Sequence, residues 1–293
     1  MERVTADVAL EVAYDLAEGP VWDPEGERLA WVDIRTGRVL LARLVDSRVE
    51  LTDELTFDGT VGAVAFATDQ GLLVAATDRL VVVAPDGTRT DGPRIVPADE
   101  RRRLNDGACD PQGRFLVGTC TPADEPSDRE LLVRLEHDGE LTTIDADLTL
   151  SNGLAWSADG SRLFSIDTLR RVVYVRAYGP DYVGPRRVHL RMDDFPDGMT
   201  IDADDHLWIA IWNAGCVRRF DPKGRLVAQI DLPAAHATCA GFAGPDLRTL
   251  VVTTATKQMT PRQRDEQPLS GMLFTARVDV PGLPAHRWRN TCT

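Results

Sequence analysis

The stretch Asp23-Pro-Glu-Gly-Glu-Arg-Leu29 is a turn that opens into an apolar run. Pro presets φ, Gly permits the tight bend, and an Asp side chain can close the turn on its own backbone. The pattern returns as Asp110-Pro-Gln-Gly-Arg-Phe115 and Ala158-Asp-Gly-Ser-Arg-Leu163. Looser copies are Asp69-Gln-Gly-Leu72, Asp202-Ala-Asp-Asp-His-Leu207 and Pro245-Asp-Leu-Arg-Thr-Leu250. Ahead of each copy stands a glycine leading into apolar residues: Gly19, Gly62, Gly107, Gly153, Gly198 and Gly241, spaced by 43, 45, 46, 45 and 43 residues. Units of this length, each with room for several short strands, have the size of a four-stranded propeller blade. The chain therefore reads as all-β, a six-bladed β-propeller.

The rest of the chain agrees with this reading. No three-and-four apolar periodicity runs beyond two turns, while β-branched and leucine-rich runs alternate with Asp, Gly and Pro clusters. The run Asp7-Val-Ala-Leu-Glu-Val-Ala-Tyr14 has strand character, and joining it to the last blade would close the ring and hide two sheet edges. Residues 1–293 are expected to form one domain. Two long polar loops, 121–129 and 257–270, are expected on a functional rim.

Composition narrows the function. The chain is 43% hydrophobic and 27% charged, an ordinary globular balance, with a net charge of −13. That charge speaks against nucleic acid, whose phosphates need a basic face, and against anionic membrane surfaces. No apolar run approaches the roughly 18 residues of a membrane span, and the N-terminus carries acids where a signal peptide is basic and then apolar. Cys109, Cys120, Cys216, Cys239 and Cys292 are odd in number and lack Cys-x-x-Cys spacing, so they read as free thiols of a reducing cytoplasm. A small-molecule ligand and a monomer or weak homo-oligomer are the expected partner and assembly.

The repeat supplies a test that a lone motif lacks. The residues before the six glycines are Glu18, Val61, Asp106, Asn152, Asp197 and Ala240. Turn chemistry accounts for Asp or Asn before Gly, but not for Glu18, nor for the apolar residues two and four places on. Equivalent positions at the start of six inner strands converge on one axis, where carboxylates repel unless a positive charge lies between them. Glu18, Asn152 and Asp197 form an all-oxygen set, suited to Ca²⁺, Mg²⁺ or Mn²⁺ rather than to a structural zinc. Oxygen triads accept several ions, so Zn²⁺ stays among the candidates. Three protein ligands leave positions for water or substrate. In Arg101-Arg-Arg-Leu-Asn-Asp-Gly107, Arg101 and Arg102 read as a solvated face, while Arg103 and Asn105 lead into the rim of Asp106 and suit a polyhydroxylated or anionic ligand.

Glu18-Gly-Pro-Val-Trp22, Arg103-Leu-Asn-Asp-Gly107, Ser151-Asn-Gly153 and Pro196-Asp-Gly-Met199 resemble the signature stretches of the SMP-30/gluconolactonase family. That family includes regucalcin and the sugar-acid lactonases. Gly241-Phe-Ala-Gly-Pro-Asp-Leu247 and Pro268-Leu-Ser-Gly-Met-Leu-Phe274 extend the resemblance along nearly the whole chain. It implies a six-bladed propeller with one axial divalent metal and lactone hydrolysis. It places metal ligands on Glu18, Asn152 and Asp197, the water-activating base on Asp197, and substrate contacts on Arg103 and Asn105. Asp106 then orients water or a ligand from behind. Vertebrate members carry a substrate-binding glutamate after the Gly-Thr of blade three. Here Gly118-Thr119-Cys120 leads into a differently built loop, in which Glu125 is not aligned with that glutamate.

The alternatives are a non-catalytic calcium- or ligand-binding propeller and a metal-dependent aryl-ester or phosphotriester hydrolase. Polar, acidic loops favour sugar lactones over the latter. No Gly-x-Ser-x-Gly elbow is present, and His137, His189, His206, His236 and His286 show no ligand spacing. Trp22, Trp156 and Trp208 read as core at matching blade positions, and Trp212 as either core or ligand contact.

Overall fold

The computed structural model describes residues 1–122 and 127–290. Blade one runs outward from the axis as Ala17–Asp23, Arg28–Asp33, Arg38–Val45 and Arg48–Thr56, each strand antiparallel to the next. The inner strands of the other blades are Val61–Phe66, Arg103–Cys109, Ser151–Trp156, Phe195–Ile201 and Ala237–Ala243, which pack against one another around the centre. In blade six the outermost strand is Asp7–Leu10, antiparallel to Leu273–Arg277, and Glu2–Thr5 adds a parallel strand to blade five at Leu226–Asp231.

Why such sequences make such blades follows from the period of a strand. Alternate side chains point to opposite faces, so every inner strand serves two seams. Val64 and Phe66 pack towards blade one, while Ala63 and Ala65 pack towards blade three. The buried apolar residues accordingly fall into six clusters, one at each junction between neighbouring blades. Trp22 and Trp156 occupy matching inner-strand positions and are buried. Trp208 does not match them. It lies on the second strand of blade five, Leu207–Trp212, and its ring meets Phe242 edge-on at 6.0 Å.

Five of the repeated glycines are needed for close approach, whereas Gly19 has open space around it and is needed for its φ of 57°. A Cβ on Gly62 would strike the carbonyl oxygens of Leu104 and Asn105, and one on Gly241 would strike the carbonyl of Pro20. Neighbouring inner strands therefore pack backbone against side-chain-free backbone.

The two ends of the axis differ. The starts of the inner strands share their end with the loops joining second to third strands, including the two long ones. The expected 257–270 loop holds a short helix, Pro261–Glu266, started by a Thr260–Gln263 capping box. The opposite end is crossed by the C-terminal segment. Gly282 N–H donates to Leu247 O at 2.8 Å, Leu283 N–H to Ile201 O at 3.2 Å, Trp288 N–H to Phe66 O at 2.9 Å and Arg289 N–H to Gly113 O at 2.8 Å. This strap, with Trp288 buried between blades two and three, bounds an axial cavity of about 140 Å³.

Candidate functional site

The local device that aims the site is a bulge in the inner strand. Pairing with the second strand breaks between Glu18 and Val21, Val61 and Ala63, Leu104 and Gly107, Asn152 and Leu154, and Pro196 and Met199. A bulge inserts unpaired backbone, bends the strand and re-aims a side chain. In blade six the break comes earlier, between Ala237 and Cys239, and Ala240 and Gly241 stay in the ladder. Glu18, Asn105, Asn152 and Asp197 are all buried, and Asp106 is half-buried.

A chain of amides sets the orientation of Asn152. Arg103 Nη1 donates to Asn105 Oδ1 at 2.8 Å, and Asn105 Nδ2 donates to Asn152 Oδ1 at 2.6 Å and to Ser151 O at 2.9 Å. Asn152 Nδ2 donates to Thr168 Oγ1, which donates to Pro196 O, both at 2.8 Å. With Nδ2 committed to Thr168, the Asn152 carbonyl oxygen is the atom turned to the site, and it keeps a second lone pair. Asn105 has both ends of its amide engaged with protein, so it positions Asn152 and Arg103. Arg103 Nε and Nη2 make no hydrogen bond among the described residues and remain available to a ligand.

The carboxylates are held under electrostatic tension. Burial pushes Glu18 well above the usual carboxylate range, and Asp197 and Asp106 push it further, against a Gly19 N–H and the field of Arg103. Burial also raises Asp197, to about 8, with Asp106 adding and Lys257 and Arg103 opposing. Asp106 is raised to about 6 by burial, partly offset by hydrogen bonds from Gly107 N–H at 2.8 Å and from Gly153 N–H. Among the described residues the Asp197 carboxylate accepts no hydrogen bond and has no ion pair. Two such carboxylates beside an oriented amide oxygen fit a hard divalent cation, which satisfies oxygen lone pairs and removes the repulsion.

One group near the site is not picked out by the motifs. Lys257 is half-buried, and its ammonium acts on Asp197 and on the buried Cys120, the cross-strand partner of Arg103. It is one of only two lysines in the chain, the other being Lys223, a compositional signal that would have marked it. Arg102 corrects an expectation. Its side chain is 12% exposed and lies between Glu100 and the fully buried Glu130, so it is packed rather than solvated. Trp212 stacks on His236 at 4.3 Å and packs against the seam of blades one and two. Cys109, Cys120, Cys216 and Cys239 are free and buried; Cys292 and Glu125 lie outside the described residues. A second acidic group, Asp202, Asp204 and His206, has ligand atoms within 4.8 Å of one another. Both Asp202 oxygens are already occupied there, by backbone N–H groups, Trp208 and Arg219.

This propeller, its bulged inner strands and its axial oxygen set coincide with a match to the model of the SMP-30/Gluconolactonase/LRE-like region over residues 16–256. The chain belongs to the SMP-30/gluconolactonase family. It is 33% identical to the pentonolactonase XacC of Haloferax volcanii, with 97% of this chain and 98% of that one covered. To the 6-deoxy-6-sulfogluconolactonase of Pseudomonas putida it is also 33% identical, over 91% and 92% of the two chains. The crystal structure of a calcium-binding protein, regucalcin, from Agrobacterium tumefaciens superposes with a TM-score of 0.90 at 24% identity, covering 99% of each chain. At that identity the superposition shows the shared fold alone. Among the described residues no helix of this family member is long and apolar enough to cross a membrane.

Proposed function

We propose that this protein hydrolyses a sugar lactone to its sugar acid, with Glu18, Asn152 and Asp197 holding a divalent cation. The observation that carries the reading is the Asp197 carboxylate, buried without a hydrogen bond or ion pair among the described residues, beside Glu18 and an amide oxygen turned towards the site. Relatives named as pentonolactonase and sulfogluconolactonase, each similar over almost its full length, support lactones as the substrate class.

The bound cation supplies Lewis acidity to the lactone carbonyl and charge for the developing oxyanion. The residues do the rest. Asp197 takes a proton from water as its oxygen attacks the carbonyl carbon, and returns it to the ring oxygen when the C–O bond breaks, so one water is consumed per acid formed. The free donors of Arg103 hold ring hydroxyls or the carbonyl in line for attack. Thr168 and Asn105 keep Asn152 turned as a ligand, and Asp106, itself held by the Gly107 and Gly153 N–H groups, orients water or a ligand from behind.

A pH-indicator assay over a panel of aldonolactones tests this, with spontaneous hydrolysis subtracted, on metal-stripped protein with single divalent ions restored. Turnover that appears with metal and disappears in Asp197→Ala is expected. No turnover of any lactone, with metal still raising the melting temperature, would overturn the enzyme in favour of a binding module.

A further inference from the structure

Blades three and six face each other across a six-bladed ring, and each carries one cation whose charge acts on Asp197. Arg103 opens the inner strand of blade three, and Lys257 follows the second strand of blade six. The backbone around Lys257 is clamped. Thr256 N–H and Lys257 N–H both donate to Asp15 O, at 3.1 and 2.9 Å, and Thr256 Oγ1 donates to Tyr14 O at 3.2 Å. Gln258 then turns back with φ of 66°. So fixed a turn sets where the Lys257 side chain starts. Yet among the described residues the Lys257 ammonium has no hydrogen bond and no ion pair, although most arginines here are paired.

Charge counting says what such a group is for. Glu18, Asp106 and Asp197 bring three negative charges, and a divalent cation with Arg103 and Lys257 brings four positive ones. One positive charge is left for a ligand to neutralise. Burial holds the Lys257 pKa down, and repulsion from Arg103 and more weakly from Arg35 adds to it, against the opposing fields of Cys120 and Asp197. An anion between the two cations relieves that repulsion.

Resting on the reading of this axis as a sugar-ligand site, we infer that Lys257 and Arg103 together grip an oxyanion of the sugar ligand. Lys257 is thus a specificity residue for acidic sugars. The oxyanion is either the carboxylate that ring opening creates or an anionic group carried elsewhere on the sugar.

Calorimetric binding of D-gluconate, 6-phosphogluconate and uncharged sorbitol to the calcium-loaded protein tests this without needing turnover. Wild type is expected to bind both acids at least tenfold more tightly than sorbitol. Lys257→Met is expected to weaken the acids about tenfold with sorbitol unchanged, and Lys257→Arg to restore most of the loss. Equal weakening of both acids assigns Lys257 to the new carboxylate; weakening of 6-phosphogluconate alone assigns it to a distal anion. If Lys257→Met leaves both acids unchanged, or weakens sorbitol equally, the inference fails. A protein that turns over no lactone yet shows the charge-selective loss would sink the lactonase reading and leave this one standing.

Discussion

Asp197 and Asp202 sit five residues apart on and just beyond one inner strand, both buried, and they live in opposite electrostatic worlds. Asp202 Oδ1 accepts from the N–H groups of Asp204 and His206, each at 3.0 Å. Its Oδ2 accepts from Trp208 Nε1 at 2.9 Å and Arg219 Nε at 2.8 Å. Asp110 repeats the arrangement with Gln112 and Arg114 N–H, the Arg114 guanidinium and Tyr178. Asp221 does so with Lys223 and Arg225, which holds its carboxyl down at about 2. Asp197 has none of this company. A buried carboxylate costs free energy unless it is paired and hydrogen-bonded. The turn aspartates recover that cost through hydrogen bonds inside the protein, whereas Asp197 has only the fields of Lys257 and Arg103 and is left to recover the rest from something that binds.

The same substitution at the two positions breaks this comparison most directly. Asp197→Asn is expected to lower lactone turnover about 10²–10⁴-fold, the usual worth of a positioned general base, with no loss of stability. Initial rates and urea melts on the two proteins decide it. Asp202→Asn is expected to do the reverse. It sets an amide donor against Trp208 or Arg219 and leaves that guanidinium with only the exposed Asp204 at 3.8 Å, at about 3 kcal/mol by denaturant titration. The turnover of its folded fraction should stay near wild type. If Asp202→Asn abolished turnover while leaving the melt alone, the division between turn and axis would be wrong.

A smaller effect sharpens the axial side. Thr168→Val removes the acceptor for Asn152 Nδ2 and frees the amide to rotate. A loss of about 10–100-fold in cation affinity is expected, measurable by calorimetric titration of the stripped protein.

The smallest effect is a pH slope. In metal-free protein Asp197 titrates near 8, far above its ordinary value of 3.8. Between about pH 4 and 8 the folded state then holds a proton that the unfolded chain has released, so stability falls as pH rises through that window and levels off above it. The melting temperature of stripped protein should drop by several degrees from pH 5 to 9, each kcal/mol being worth about 2–4 °C in a domain of this size. A saturating divalent cation should flatten the slope, and Asp197→Asn should reduce it, the raised Glu18 and Asp106 keeping the remainder. A stripped protein that grows more stable towards pH 9 would show that Asp197 already has a partner.

Much of this is legible in the order of residues alone. The glycine spacing marks the blades because each blade is a local unit repeating the same turn chemistry, and the column of Glu18, Asn152 and Asp197 follows from aligning those units. Other roles stay hidden. Asn105 reads as a ligand contact from its place in the rim, and nothing local shows that its two amide N–H groups also donate to Ser151 and Asn152, 46 and 47 residues away. Arg102 reads as solvated beside Glu100, but Glu130 draws it inward. The C-terminal strap carries no strand signal at all, since its hydrogen bonds go to four different blades.

By itself, then, the sequence determined the number of blades, the glycine-marked start of each inner strand and which oxygen-bearing side chains stand there. These depend on interactions within a few residues, repeated six times. Only the tertiary structure decided which carboxylates are satisfied and which are left wanting, that Thr168 orients Asn152, and that Lys257 reaches the axis from the blade opposite Arg103. Closing the ring brings such groups together across long stretches of chain, and no local spacing encodes what they meet.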